Sequence, residues 1–150
     1  MEKSLLRLNR FIEKVPVLFN KMTEDMLSNK PSPEKWSKKE ILGHLIDSAV
    51  NNHIRFIKIQ LEPAPYQITP YKQNDWVKLN RYQQKQGKEI AELWAQLNKQ
   101  IYYVVSQIPK EVLQTRIKLA NGESTLEWLI TDYVEHMEHH LKQIFGSEFE

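Results

Sequence analysis

The sequence STLEWLITDYVEHMEHHLKQIFG, residues 124–146, decides the fold class of the chain. Its apolar residues recur every three or four positions, which is the spacing that places side chains on one face of an α-helix. Ser124 followed by Glu127 is typical of a capping box at a helix start, and Gly146 is typical of a helix end. We therefore predict an amphipathic helix between Ser124 and Gly146.

Three similar apolar patterns upstream predict three more helical regions, over about residues 5–26, 37–61 and 74–107. Pro16 should kink or break the first region. Ser37 and Glu40 form a capping box that opens the second region, and Gly87 marks a break in the third. Four long amphipathic helices joined by loops predict an all-α protein, a four-helix bundle formed by a single domain over residues 1–150.

The segment before the last helix follows a different pattern. Residues 113–119 fit a short extended piece, and the following Asn121–Gly122 dipeptide is typical of a hairpin turn. We therefore expect a short extended segment beside the bundle.

The composition argues against several classes of function. The net charge is only +2, and basic residues are interspersed with acidic ones, so neither nucleic-acid binding nor membrane binding has electrostatic support. Cysteine is absent, which excludes disulfides, thiolate metal sites and a cysteine nucleophile. No stretch approaches eighteen consecutive apolar residues, and the N-terminus does not resemble a signal peptide. We expect a cytoplasmic protein.

Two of the five histidines, His136 and His140, lie four residues apart on the predicted last helix. Residues at this spacing share one helix face, so their imidazoles can hold one metal ion together. The alternative is that both are hydrogen-bonded core histidines, or cations at the negative end of the helix dipole. Two inward imidazoles one turn apart would then each need a buried partner. The residues alone leave both interpretations open.

A third ligand would have to come from another helix. His44 and His53 are nine residues apart on the second helix, which places them on opposite faces. His44 lies within the apolar stripe and is the better ligand, whereas His53 lies among polar residues and is predicted to be solvated. Three neutral imidazoles suit zinc or nickel and leave an open position. We expect protons to displace the metal as the pH falls through about 6.

Further candidates lie near His44. Asp47, Asn51 and Arg55 follow it along one helix edge, where they could support the ligand or contact an anionic substrate. For Arg55 we favour a structural ion pair with an acidic residue such as Asp132. Trp76 either lines the pocket mouth or closes the bundle end, so the substrate-binding candidates are Asn51, Arg55 and Trp76. The remaining tryptophans are predicted to be core residues: Trp36, Trp94 and Trp128.

Residues 36–49, WSKKEILGHLIDSA, resemble the second helix of the DinB/YfiT-like superfamily, and residues 125–144 resemble its last helix. Arg55–Phe56, Tyr71 and Trp76 fit the same resemblance. It implies a four-helix bundle with one divalent metal ion held by His44, His136 and His140.

The resemblance also implies an activity. Members have been linked to metal-dependent transfer of low-molecular-weight thiols such as bacillithiol, mycothiol or glutathione, and one branch to maleylpyruvate isomerisation. It therefore implies a thiol S-transferase that takes a small-molecule thiol and an electrophilic substrate, and a homodimer. A metal-dependent hydrolase on the same three histidines and a non-catalytic metal-binding bundle remain alternatives. No catalytic base stands out in the sequence.

Overall fold

Six α-helices and a small sheet make up the computed structural model, which describes residues 1–149. The helices are α1 (Glu2–Phe19), α2 (Glu24–Ser28), α3 (Lys38–Leu61), α4 (Gln73–Asn80), α5 (Gly87–Ser106) and α6 (Leu126–Phe145). The strands are β1 (Tyr66–Gln67), β2 (Arg116–Leu119) and β3 (Gly122–Thr125). Short 3₁₀ turns cover Tyr82–Gln84, Val112–Gln114 and Gly146–Phe149.

The four long helices form the bundle, which confirms the all-α prediction. Helix α3 packs against α5 and α6, and α1 packs against the same two helices from the other side. Each helix contributes apolar side chains to one core, whose fully buried members include Val15, Leu42, Trp94 and Met137. Within residues 1–149, no helix is long and apolar enough to cross a membrane.

Helix α3 begins as the sequence predicts. The Ser37 hydroxyl accepts a hydrogen bond from the Glu40 backbone N–H at 3.2 Å, and the Glu40 carboxylate accepts one from the Ser37 N–H at 2.8 Å. Residues 42–49 are all buried, and α4, α5 and α6 all pack against α3. A helix covered on all sides places even its polar side chains inside the protein. His44 and Asp47 are therefore buried.

Helix α6 begins one residue later than predicted. Strand β3 pairs with β2 as far as Thr125, so the first helical residue is Leu126 and Ser124 lies one residue too early to cap the helix. The Thr125 hydroxyl takes that role and accepts from the Trp128 N–H at 3.2 Å. Gly146 ends the helix with a φ of 59°, as predicted.

The predicted hairpin is present, with β2 and β3 antiparallel and Gly122 in the turn at a φ of 138°. Strand β1 adds to β2 in parallel. The predicted first helical region is divided into α1 and α2, although Pro16 does not end α1, which continues to Phe19. The third region is interrupted before Gly87, as expected.

The tryptophan predictions are only partly correct. Trp94 is fully buried and Trp36 packs half-buried against the core, but Trp128 is 43% exposed. Leu126 and Ile130 define the core face at the start of α6, and Trp128 lies well outside that face at 100° per residue. Its position on the outer face of the first turn therefore leaves its ring at the surface.

Candidate metal centre

Three histidines from two helices meet near one end of the bundle. Helix α3 supplies His44, and α6 supplies His136 and His140. The Nε2 atoms of His44 and His136 are 3.3 Å apart, and one ring nitrogen from each of the three histidines lies within 4.8 Å of the others. His44 has no exposed surface, and the other two are half-buried. His53 is half-buried elsewhere on α3 and does not join the group.

The spacing of these nitrogens fits a divalent ion. Two imidazole nitrogens that bind zinc tetrahedrally, each about 2.0–2.1 Å from the ion, lie about 3.3 Å apart. The alternative of hydrogen-bonded core histidines needs a protein partner for each buried nitrogen. A hydrogen bond between His44 Nε2 and His136 Nε2 would use one nitrogen of each of these two rings, but within residues 1–149 it leaves Nε2 of the third converging ring, His140, without a partner. The donor set and its geometry therefore fit a metal site better than a structural histidine cluster.

The three imidazoles are held in the neutral form that binds metals. Burial, together with the smaller effect of the neighbouring His136 and His140, lowers the pKa of His44 to about 3. Burial also lowers the pKa of His136 to about 4, again with help from neighbouring histidines. The pKa of His140 is lowered as well, chiefly by burial. At neutral pH their lone pairs are therefore available.

Gln143 orients one of the three rings. His140 Nδ1 donates to Gln143 Oε1 at 2.9 Å, and Gln143 Nε2 in turn donates to His139 Nε2 at 3.0 Å. Since an amide oxygen can only accept, Nδ1 of His140 carries the proton and its lone pair lies on Nε2. Gln143 was not predicted as a site residue, although it follows His140 by three residues and thus shares its helix face.

Asp47 lies one turn beyond His44 and forms a second buried group. Its Oδ1 accepts from the Tyr82 hydroxyl at 2.6 Å and from Asn80 Nδ2 at 2.8 Å. Burial raises its pKa to about 6, although both hydrogen bonds act to lower it. The Tyr82 ring packs directly on Gly43, where a Cβ atom would lie only 2.1 Å from Tyr82 Cδ2. Glycine at this position lets the tyrosine reach Asp47.

Asn51 and Trp76, two of the predicted substrate-binding residues, are half-buried and contact neighbouring protein groups. Asn51 Nδ2 donates to the Asp47 carbonyl oxygen at 2.9 Å, so this amide group is used within its own helix. Trp76 lies in α4 with its ring centroid 5.3 Å from that of Tyr71. These contacts place both side chains in the wall of the bundle.

Arg55 does not make the predicted ion pair with Asp132. Its guanidinium donates to the Thr69 carbonyl at 2.7 Å and to Asn52 Oδ1 at 3.3 Å, and it lies 6.0 Å from the centroid of the Tyr71 ring. Within residues 1–149 no carboxylate oxygen lies within 4.0 Å of it. The loop after α3 brings Thr69 to the guanidinium first, and Asp132 lies across a cavity from it.

Two cavities adjoin the histidine group. The smaller, of about 130 Å³, is bordered by His136 on one side and by Arg55, Tyr71 and Asp132 on the others. The larger, of about 580 Å³, is lined by His140 and Gln143 together with Trp36. The Trp36 ring lies 5.0 Å from the His44 ring and covers it. Small molecules can thus approach the histidines from two sides.

The chain is similar in sequence to one protein family and to one curated relative. The profile that describes the DinB superfamily matches residues 7–144. A protein of Bacillus mycoides (strain KBAB4), proposed by its name to be a metal-dependent hydrolase, is 27% identical over 109 residues. That match includes 73% of this chain but only 62% of the relative, so the chain spans less than two thirds of that protein's length.

Solved structures share the fold. YfiT from Bacillus subtilis, proposed to be a metal-dependent hydrolase with an unusual four-helix bundle topology, gives a TM-score of 0.80 at 23% identity and covers 99% of this chain and 84% of its own. A mycothiol-dependent maleylpyruvate isomerase gives a TM-score of 0.69 at 11% identity, and the match covers 97% of this chain and 60% of the isomerase. The DinB-like protein YjoA from Bacillus subtilis gives a TM-score of 0.61 at 19% identity, and the match covers 95% of this chain and 88% of YjoA. These likenesses show a shared bundle.

Proposed function

The chain belongs to the DinB superfamily, and from this premise we propose that it is a divalent-metal-dependent enzyme that transfers a low-molecular-weight thiol to an electrophilic small molecule. The observation that carries the proposal is the group of three neutral imidazoles, which no carboxylate joins within residues 1–149. Zinc or nickel suits such a nitrogen donor set, with at least one position left for a substrate.

A divalent ion held by His44, His136 and His140 would lower the pKa of a thiol bound at its open position. The protein's own contributions are the neutral imidazoles, the orientation of His140 by Gln143 and the cover that Trp36 provides over His44. Transfer would form a bond from the thiol sulfur to the electrophilic carbon and break the bond from that carbon to the leaving group, and the thiol proton would leave with the leaving group. The two cavities beside the histidines provide separate spaces for thiol and electrophile.

A metal-dependent hydrolase is the second candidate, because both the Bacillus mycoides relative and YfiT are proposed to be hydrolases. Hydrolysis is additionally assisted by a base that takes a proton from the attacking water. Asp47 accepts from Tyr82 and Asn80, and Glu138 pairs with Arg7 and Lys142. Asp132, however, borders the smaller cavity together with His136 and could take that proton. We keep thiol transfer as the leading proposal because a metal-bound thiol would ionise without a separate base, and the cobalt titration below distinguishes the two reactions.

A non-catalytic metal-binding bundle is the third reading, and it predicts a protein-derived fourth ligand with no access for substrates. Within residues 1–149 the group contains three ligands only. A cavity of about 580 Å³ reaches His140. Both observations favour a site that accepts an external ligand.

The first test is metal analysis of protein purified without a histidine tag. We expect about one zinc or nickel ion per chain, lost in His44→Ala and retained in the matched control His53→Ala, which removes a histidine of the same helix outside the group. A metal-free protein, or equal loss in both variants, would contradict the site.

The second test separates the two enzyme classes. Cobalt-substituted protein is titrated with 2-mercaptoethanol, and we expect a sulfur-to-cobalt charge-transfer band with wild type that is absent in His44→Ala. An unchanged spectrum together with hydrolysis of a p-nitrophenyl ester by wild type would favour the hydrolase instead.

A further inference from the structure

The small cavity beside His136 has a chemical character of its own. Its volume of about 130 Å³ equals that of roughly four water molecules at about 30 Å³ each, so it accepts a group of a few atoms. Its lining includes Ser48, Asn52 and Arg55 of α3, Tyr71 of the loop before α4, and Asp132 of α6. His136 borders the cavity and also belongs to the histidine group. A substrate with one end in this cavity can therefore reach the histidine group past His136.

Arg55 is the positively charged side chain of this cavity. Of its five N–H donors, two are used by the neutral acceptors Thr69 O and Asn52 Oδ1, and within residues 1–149 it has no carboxylate partner. Its position over Tyr71 leaves the guanidinium half-buried. A half-buried guanidinium is most stable with a carboxylate on its remaining donors.

We infer that the cavity binds a carboxylate group of a substrate on Arg55, while the reacting part of that substrate lies at the histidine group. The position of the reacting part rests on the proposed function, whereas carboxylate binding by Arg55 does not. The carboxylate belongs either to the thiol or to the electrophile, and the experiment distinguishes these two sources.

Asp132 supplies an internal control for this inference. It lines the same cavity as Arg55, and the charge of an anionic ligand would be repelled by its carboxylate. Removing the negative charge with Asp132→Asn should strengthen carboxylate binding, whereas removing the positive charge of Arg55 should weaken it. General damage to the cavity would weaken binding in both variants.

The first experiment measures succinate binding to the metal-free protein by calorimetry. We expect Arg55→Gln to weaken binding by about tenfold or more, as for the loss of a charge-assisted pair. The matched control is Lys58→Gln, which removes the same charge from the exposed side of α3 and should change nothing. Arg55→Lys, which keeps the charge but loses the paired donors, should fall between wild type and Arg55→Gln.

Three outcomes would overturn the inference: no succinate binding by wild type, equal weakening in Arg55→Gln and Lys58→Gln, or weakening in Asp132→Asn. Thermal unfolding monitored by circular dichroism shows whether Arg55→Gln is folded. If Arg55→Gln is not folded, Arg55→Lys and Asp132→Asn decide the question. Succinate affinity must then decrease in Arg55→Lys and increase in Asp132→Asn.

The second experiment identifies which substrate carries the acid. Cobalt-substituted protein is titrated with 3-mercaptopropionate and with its neutral analogue 3-mercaptopropan-1-ol. A preference for the acid that Arg55→Gln abolishes assigns the carboxylate to the thiol, and no preference assigns it to the electrophile. If neither thiol changes the cobalt spectrum, the proposed thiol transfer fails, but the succinate result on metal-free protein still decides the inference about Arg55.

Discussion

Helix α3 carries two buried polar groups one turn apart, and they differ in how the protein satisfies them. In the histidine group, His44 Nε2 faces His136 Nε2 at 3.3 Å, and within residues 1–149 His44 Nδ1 has no partner. In the aspartate group, Asp47 accepts from Tyr82 at 2.6 Å and Asn80 at 2.8 Å, which leaves only its Oδ2 without a partner.

This difference separates a binding site from a structural cluster. Polar groups that satisfy one another stabilise the fold, whereas three converging ring nitrogens, of which only two can share a hydrogen bond, are completed together only by a ligand. Changes in the histidine group should therefore act mainly on metal affinity, and changes in the aspartate group mainly on stability. Four experiments test this contrast, beginning with the largest expected effect.

His44→Gln should weaken metal binding by roughly a hundredfold or more, which exceeds the 10–100-fold typical of losing a group that only supports a ligand. Competition with a chromophoric chelator measures the affinity, and urea unfolding of the metal-free protein should show a far smaller change. His53→Gln is the control and should bind metal like wild type. Unaltered affinity in His44→Gln would remove the distinction between the two groups.

Lowering the pH from 7 to 5 should destabilise the metal-free protein by roughly 2 kcal/mol. The pKa values of His44 and His136, about 3 and 4, lie below that of an unfolded histidine. Between pH 7 and pH 5 the unfolded chain therefore binds more protons than the native protein, and the free energy of unfolding decreases as the pH is lowered. Asp47, whose pKa is raised to about 6, acts in the opposite direction and offsets part of the loss.

Urea unfolding at the two pH values measures this effect, and His44→Gln should show a weaker pH dependence than wild type. The same pKa values move the expected release of metal below the pH near 6 that unperturbed imidazoles predict. Stability that rises from pH 7 to pH 5 would show that the aspartate group, and not the histidine group, dominates.

Tyr82→Phe should lower the free energy of unfolding by about 1–2 kcal/mol, because Asp47 loses its shorter hydrogen bond while remaining buried. Metal affinity should be unchanged. The pKa of Asp47 should rise further, since the tyrosine hydroxyl lowers it in the native protein. A loss of metal affinity as large as the loss of stability would show that the two groups act as one.

Gln143→Ala should weaken metal binding by about tenfold, because the His140 ring loses the acceptor that fixes its tautomer. Gln143→Glu keeps an acceptor oxygen and should restore the affinity. Gln96→Ala, at an exposed position of α5, serves as the control. The chelator competition used for His44→Gln measures all three variants, and equal affinity in Gln143→Ala and wild type would show that the ring orientation does not depend on this bond.

Local features of the chain could be predicted from the sequence because they depend on neighbouring residues. The Ser37–Glu40 capping box, the end of α6 at Gly146 and the interruption before Gly87 all involve contacts or dihedral angles within a few residues. The apolar periodicity predicted the bundle for the same reason, since one turn of helix determines which side chains share a face.

The errors arose where distant segments meet. Thr125 caps α6 instead of Ser124 because β3 pairs with β2 as far as Thr125, which makes Leu126 the first helical residue. Arg55 contacts Thr69 and not Asp132 because the loop after α3 folds back onto the helix. The hairpin turn was predicted from Asn121–Gly122, but the length of the β2–β3 pairing and the path of the loop after α3 have no local signal in the sequence.

The histidine group combines both kinds of information. The sequence by itself placed His136 and His140 on one face and turned His44 toward the core, because helix geometry depends only on spacing. Only the tertiary structure decided that His44 and His136, 92 positions apart, approach to 3.3 Å, and that Gln143 orients His140. It also decided that Arg55 borders a cavity shared with His136, because packing of α3 against α6 sets such distances and no periodicity encodes it.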